Sequence, residues 1–209
     1  LAETKRLREP GVLDGEVRRL LRDPKAGAFV ENFAGQWLQF KNMDVVKPDL
    51  ERFPKFDDGL RRSMRRETAL FVEHLFRENR SLLELLNANY SFLDERLARY
   101  YGVPGVKGPA FRRVDMSATP RGGGLLAQGS VLTVSSYSTR TSPVLRGKWI
   151  LENLLNAPPG EPPAGVPALD DTKIGLDATL RVQMEQHRKN PACASCHSRM
   201  DPLGFGLEN

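Results

Sequence analysis

The 209 residues carry a net charge of +5, with 27% charged and 40% hydrophobic side chains, enough chain for one sizeable core or two small ones. That balance is ordinary for a folded globular protein and excludes a disordered chain or a coiled coil, and no apolar run approaches the length needed to span a bilayer. The positive charge is interspersed with acidic residues, and no basic face with stacking aromatics suits nucleic acid.

Leu-Ala-Glu-Thr-Lys at the start has neither an initiator methionine nor a signal-peptide pattern, so the sequence reads as part of a longer or processed chain. Helical signals follow at once. Gly11 to Arg22 reads as a short helix ended by Asp23-Pro24. From Ala26 to Phe40, the spacing of Phe29, Val30, Phe33, Trp37 and Phe40 predicts a second helix with one apolar core stripe. Asp57 or Asp58 then caps the longest helix, running to about Glu78 with Leu60, Met64, Phe71 and Leu75 on one face. Arg61-Arg62 and Arg65-Arg66 fall on its solvated surface. Glu67 projects onto the apolar stripe and His74 lies at its edge. A carboxylate there needs a partner or serves a site, so Glu67 and His74 are candidate catalytic residues, against a purely structural pairing.

Ser81 with Glu84, and Ser91 with Asp94, resemble capping boxes that open two short helices, the second ending at Gly102. Everything to that point reads as helix. Residues 103–120 are rich in glycine and proline, with a short strand expected at Phe111 to Val114, and read as a linker between two subdomains. Arg121-Gly-Gly-Gly opens an apolar segment through Val134; it lacks the lysine and hydroxyl of a phosphate loop, which leaves close packing as its role. Ser142 and Pro143 start a helix through about Leu155, with Trp149, Ile150 and Leu154 inward. A proline-rich extended linker, 156–167, leads to an amphipathic helix over 171–189 with Ile174, Leu176, Leu180 and Met184 inward. The expected architecture is mainly α: a helical domain over 1–102, the linker 103–120 and a second helical subdomain over 121–209.

The last stretch carries the most specific signal. In Asn190-Pro-Ala-Cys193-Ala-Ser-Cys196-His197, Cys-x-x-Cys-His is the attachment signature of c-type haem. Thiols three apart on one helical turn point the same way, toward the two vinyl groups of a single porphyrin. His197 then becomes the proximal iron ligand. Asn190 as N-cap and Pro191 in the first turn start this helix, and Asp201-Pro202 is expected to end it after about two turns. A disulfide, a thioredoxin-like redox pair, or zinc held by Cys193, Cys196 and His187 or His197 compete; a structural disulfide is compatible with the spacing, the redox pair lacks alternating strands and helices, and zinc lacks a second cysteine pair. Arg140 and Arg146 either grip haem propionates or form ordinary surface salt bridges. For the sixth iron position, Met200 follows His197 on the proximal side, which leaves His187, His74, Met184 and Met116, with His187 nearest in sequence.

The segments Arg140-Thr-Ser-Pro-Val-Leu-Arg-Gly147, His187 to His197, and Asp201-Pro-Leu-Gly-Phe-Gly-Leu-Glu-Asn209 resemble a domain of the large secreted cytochrome c proteins typical of planctomycetes. Arg66-Glu67-Thr68 and the stretch from Asn89 to Gly102 are similar to the domain that precedes it, the pair being the domains of unknown function 1592 and 1588. The resemblance implies a cytochrome c-like second subdomain, one covalent haem c, and a periplasmic or secreted setting. It also implies a redox partner protein or a further haem domain of the same full-length chain, and it assigns no reaction. Three functions follow: an electron-transfer domain of a larger oxidoreductase, a haem enzyme of peroxidase or oxygenase type in which Glu67 and His74 serve as an acid-base pair, or a non-haem module with zinc or a disulfide at the cysteine pair.

Overall fold

In the computed structural model, residues 3–160 and 180–208 are described, and the chain divides into two units, Leu1–Val134 and Ser135–Asn209. Helices make up most of the described residues of both, as expected of a mainly α protein with two subdomains.

In the first unit a 3-10 turn, Arg6–Arg8, precedes helix α1, Val12–Arg22, whose Leu13, Val17 and Leu20 face outward. The next helix departs from expectation. Instead of one helix over 26–40, the chain makes α2, Ala26–Phe29, a π-helical turn, Val30–Ala34, and α3, Gly35–Trp37, before the left-handed Gln39 turns it into a 3-10 segment, Phe40–Asp44. The wider π turn rotates the aromatic stripe. Val30 and Phe40 are therefore buried, whereas Phe29 and Phe33 stay about half exposed and stack on each other with ring centroids 5.3 Å apart.

Helix α4, Asp58–Arg77, starts where the Asp57 carboxylate accepts from the Leu60 amide at 2.6 Å. Leu60, Met64, Phe71 and Leu75 are buried along it, as the periodicity predicts. Its basic runs are partly anchored: Arg61 donates to the Met43 and Val46 carbonyls, and Arg65 pairs with Glu31 and Asp44. The Ser81 capping box does not form, because the Glu84 carboxylate turns to Arg80 and Tyr90; helix α5 is only Glu84–Asn87.

Ser91 to Asp94, read as a capping box that opens a helix at Leu93, instead contribute Ser91 to Leu93 to strand β1, Tyr90–Leu93. The helical cap is Asp94, whose carboxylate accepts from the Leu97 amide at 2.8 Å and opens α6, Glu95–Tyr101. Asp94 is also bonded by the Ser63 hydroxyl at 2.7 Å in the interior. Asp94→Ala removes the cap and orphans Ser63 together, and lowers the unfolding free energy by about 2 kcal/mol, measurable by urea titration. Gly102, at φ 73°, ends α6 as predicted. Strand β2, Arg112–Asp115, pairs antiparallel with β1 in the register Tyr90 opposite Asp115 and Leu93 opposite Arg112.

Residues 103–120 are not a free connection. Val103, Val106 and Met116 enter one core cluster with Leu60, Met64, Leu93 and Leu97, and β2 completes the two-stranded sheet, so the units divide at Val134 and Ser135. A 3-10 turn, Leu125–Ala127, and α7, Gly129–Val134, close the first unit. Gly123 packs so tightly that a Cβ there would stand 2.5 Å from the Ala88 carbonyl oxygen, which demands glycine at that position.

In the second unit, Ser142 accepts from the Leu145 amide at 3.2 Å and caps α8, Pro143–Asn153, with Trp149 and Ile150 buried as expected and Leu154 half-buried. Ile174, Leu176 and the later part of the proline-rich linker lie outside the described residues. Helix α9, Leu180–His187, buries Met184. Helix α10, Pro191–Phe205, runs well past its predicted end and carries Pro202 inside it. An interior proline costs about 3 kcal/mol, and tertiary packing offsets it here: Met200 and Asp201 are buried, and α10 lies directly on α8. One glycine on each helix permits the approach. A Cβ on Gly147 would run into the backbone of Met200, and one on Gly204 into the backbone of Pro143.

Candidate functional site

The Asn190 carbonyl accepts from the amides of Cys193 and Ala194 at 3.1 and 2.9 Å, which sets the cysteine pair on the first turns of α10. Cys193 and Cys196 are free thiols, both half-buried. His197 follows, and one turn later Asp201 places Oδ1 3.0 Å from His197 Nδ1. The Asp201 side chain is 0% exposed, and its second oxygen faces the Arg188 guanidinium at 3.7 Å. A buried carboxylate accepts, so Nδ1 donates and the lone pair of Nε2 is left for another partner.

This donor set fits haem c. Two thiols and an imidazole share one stretch of helix, and the imidazole is held from behind by a carboxylate, the pattern by which metal-ligating histidines are oriented.

The other proposed contacts fare differently. Arg146 is 6% exposed and donates to Glu208 Oε1 at 2.7 Å and to the Leu207 carbonyl at 2.9 Å. It thereby ties α8 to the residues that follow α10, as the salt-bridge reading expects. Arg140 lies over the Tyr137 ring at 4.5 Å and is half-buried. The His187 ring touches that of His197 edge-on, centroids 4.8 Å apart. A direct ring contact leaves no room for a macrocycle between them, so in this arrangement His187 stands beside His197 and not opposite it. Burial first, and then the neighbouring His197, hold His187 below its ordinary pKa. Met116 is in the core of the first unit, and Met184 is buried on α9.

Glu67 and His74 do not form an acid-base pair. Seven residues apart on α4, they are separated by about 10 Å along the axis. Glu67 accepts from the Ser91 hydroxyl at 2.5 Å and from the Tyr101 hydroxyl at 2.7 Å, while the Tyr101 oxygen accepts from the Gly129 amide at 2.7 Å. Arg121 covers the Tyr101 ring at 3.9 Å. Burial pushes the Glu67 carboxyl up to about 7 despite these donors, and the cleft beside it, lined by Ser91, Tyr101 and the glycines, is too narrow for a water molecule. Beneath lies a second polar cluster, in which Thr68 meets Gln128 and Ser130. His74 packs between Tyr90 and Phe92 with its pKa lowered, chiefly by burial. The Glu67 and Thr68 contacts are the internal bonds of a core, and His74 is half-buried beside it.

Asp201 and Arg188 were not singled out by sequence. The available signal was the spacing of His197 and Asp201, four apart on one helix, which places them on one face. Among the described residues, no group of three or more His, Cys, Asp and Glu side chains converges as a ready metal cage, and no helix is long and apolar enough to cross a membrane.

Two domain families account for most of the chain. Residues 1–103 match the family described as protein of unknown function (DUF1592), and residues 121–209 match protein of unknown function (DUF1588). The chain belongs to the proteins that carry these two families in tandem. No curated protein and no solved structure matches it.

Proposed function

We propose that the second unit binds one haem c covalently and serves as an electron-transfer domain within a larger secreted or periplasmic oxidoreductase. The observation that carries this reading is His197: it directly follows the cysteine pair, and its Nδ1 is engaged by a buried carboxylate, so Nε2 is presented for coordination. Cys193 and Cys196 attach the porphyrin. Each thiol adds across one vinyl group, sulfur to one carbon and its hydrogen to the other, so the step consumes no oxidant. Haem held there supplies a one-electron iron couple. The chain's own residues anchor, orient and shield: α8 braces α10 through the glycine crossing, and Arg146 with Glu208 closes the end of the helix. A redox partner protein, or a further haem domain of the same full-length chain, is the natural exchange partner for such a site.

The test is expression of the chain with a cytochrome c maturation system, followed by a denaturing gel stained for covalent haem and by oxidised and reduced spectra. A stained band with sharp reduced α and β bands is expected. Cys193→Ala with Cys196→Ala abolishes the stained band, and either single substitution leaves at most one thioether. A broad high-spin spectrum, shifted by cyanide, transfers the assignment to catalysis at an open iron; a colourless, unstained protein removes haem altogether and leaves zinc or a disulfide.

A further inference from the structure

We infer that Asp201 is the positioning residue of the haem ligand: it fixes the tautomer of His197 and sets the iron's reduction potential low. The inference rests on the haem reading above for its second half only. Three observations around Asp201 carry it. Asp201 Oδ1 lies 3.0 Å from His197 Nδ1. The carboxylate is completely shielded from solvent, and its Oδ2 has no hydrogen-bond partner. The nearest positive charge to that oxygen among the described ion pairs is Arg188, at 3.7 Å and beyond hydrogen-bonding distance.

A helix packed for stability alone has little use for this residue. A buried, incompletely bonded carboxylate is costly, and an apolar side chain of similar size would pack the same position without the penalty. The cost has a return only if the charge acts on its neighbour. Accepting from Nδ1–H holds the imidazole in the tautomer whose free lone pair is on Nε2, and holds the ring plane fixed. The negative charge also makes the imidazole a stronger donor, which favours ferric over ferrous iron. Arg188 is too distant to neutralise that effect by a direct hydrogen bond and instead balances the buried charge at longer range.

Asp201→Asn keeps the shape and removes the charge, so it separates this role from packing. Two readouts decide between them. In the haem-free full chain, nitrogen-15 correlation of the histidine rings is expected to show His197 with its proton on Nδ1, and Asp201→Asn is expected to move the population toward Nε2–H. In the haem-loaded chain, an optical redox titration is expected to show Asp201→Asn favouring the reduced form at least tenfold, about 59 mV for one electron. A wild-type His197 protonated on Nε2, or equal midpoints in two fully loaded proteins, overturns the inference. Absence of covalent haem defeats the proposed function instead, and the nitrogen-15 result still judges the hold of Asp201 on His197. Should Asp201→Asn fail to fold by circular dichroism, the wild-type tautomer alone decides: a proton on Nδ1 supports the inference and a proton on Nε2 overturns it.

Discussion

Gly147→Ala is expected to destabilise the second unit by about 2–3 kcal/mol, the reverse of what alanine does in an ordinary helix. Helix propensity alone would favour the substitution by about 1 kcal/mol. At position 147, however, the new Cβ meets the carbonyl, carbonyl carbon and Cα of Met200, and main chain cannot swing aside as a flexible side chain can. Overpacking of this kind costs about 3 kcal/mol or more. Gly204→Ala acts from the other helix, against the Pro143 backbone, with the same sign. Gly15→Ala supplies the control: it lies inside α1 with nothing within 4 Å of the added methyl, so it should be neutral or stabilising. Denaturant unfolding of the three variants checks the set, and a Gly147→Ala protein as stable as wild type would contradict the close crossing of α8 and α10. Because Met200 lies one turn beyond Cys196 and next to Asp201, the same substitution should also loosen the bond from Asp201 to His197.

These glycines show where sequence stops being readable. The segments around Arg140 to Gly147 and Asp201 to Asn209 carried the family resemblance, yet nothing in either one says that they touch. Brought together, they form one joint: Gly147 against Met200, Gly204 against Pro143, and Arg146 on Glu208. Local signals did well where local chemistry decides. Ser142 caps α8, Gly102 stops α6, and the short strand expected at 111–114 forms one residue later at 112–115. They failed where a distant partner overrides propensity. Pro202 reads as a helix end, but burial of Met200 and Asp201 against α8 carries α10 through it. Ser91 reads as a cap, but its hydroxyl is taken by Glu67, and Asp94 does the capping. Arg146 reads equally as a propionate ligand or a salt-bridge partner, and the salt bridge is the contact that forms, because Glu208 folds back onto it. In the candidate site, Cys193, Cys196 and His197 could be named from spacing alone. Asp201 could not, since its meaning lies in being buried, and its position next to a proline suggested only an ending.

Glu67 gives the other large effect, through pH. Its carboxyl titrates near 4.5 in the unfolded chain and is pushed up to about 7 in the folded one, burial outweighing the donors Ser91 and Tyr101. Between those values the folded state holds a proton that the unfolded state has lost. Stability of the first unit therefore falls as pH rises from 4.5 to about 7 and levels off above, because an acid with a raised folded pKa contributes a penalty once it must ionise in place. At 1.36 kcal/mol per pH unit the fall from this group is about 3 kcal/mol. His74 in the same unit, whose folded pKa is lowered, acts in the opposite sense as pH rises through the histidine range. The group is therefore isolated by difference. Glu67→Gln keeps the size and an oxygen acceptor but cannot ionise, so subtracting its pH profile from that of wild type should leave a descending step between pH 4.5 and 7. Below pH 4.5 the two proteins should differ only by the cost of misorienting one amide among Ser91 and Tyr101; at pH 8 the variant should have gained on wild type by most of the step. Parallel profiles across this range would mean that Glu67 ionises as easily inside the core as outside it. That result would require water to reach the closed cleft behind Tyr101 and the glycines, and would reopen the case for chemistry there.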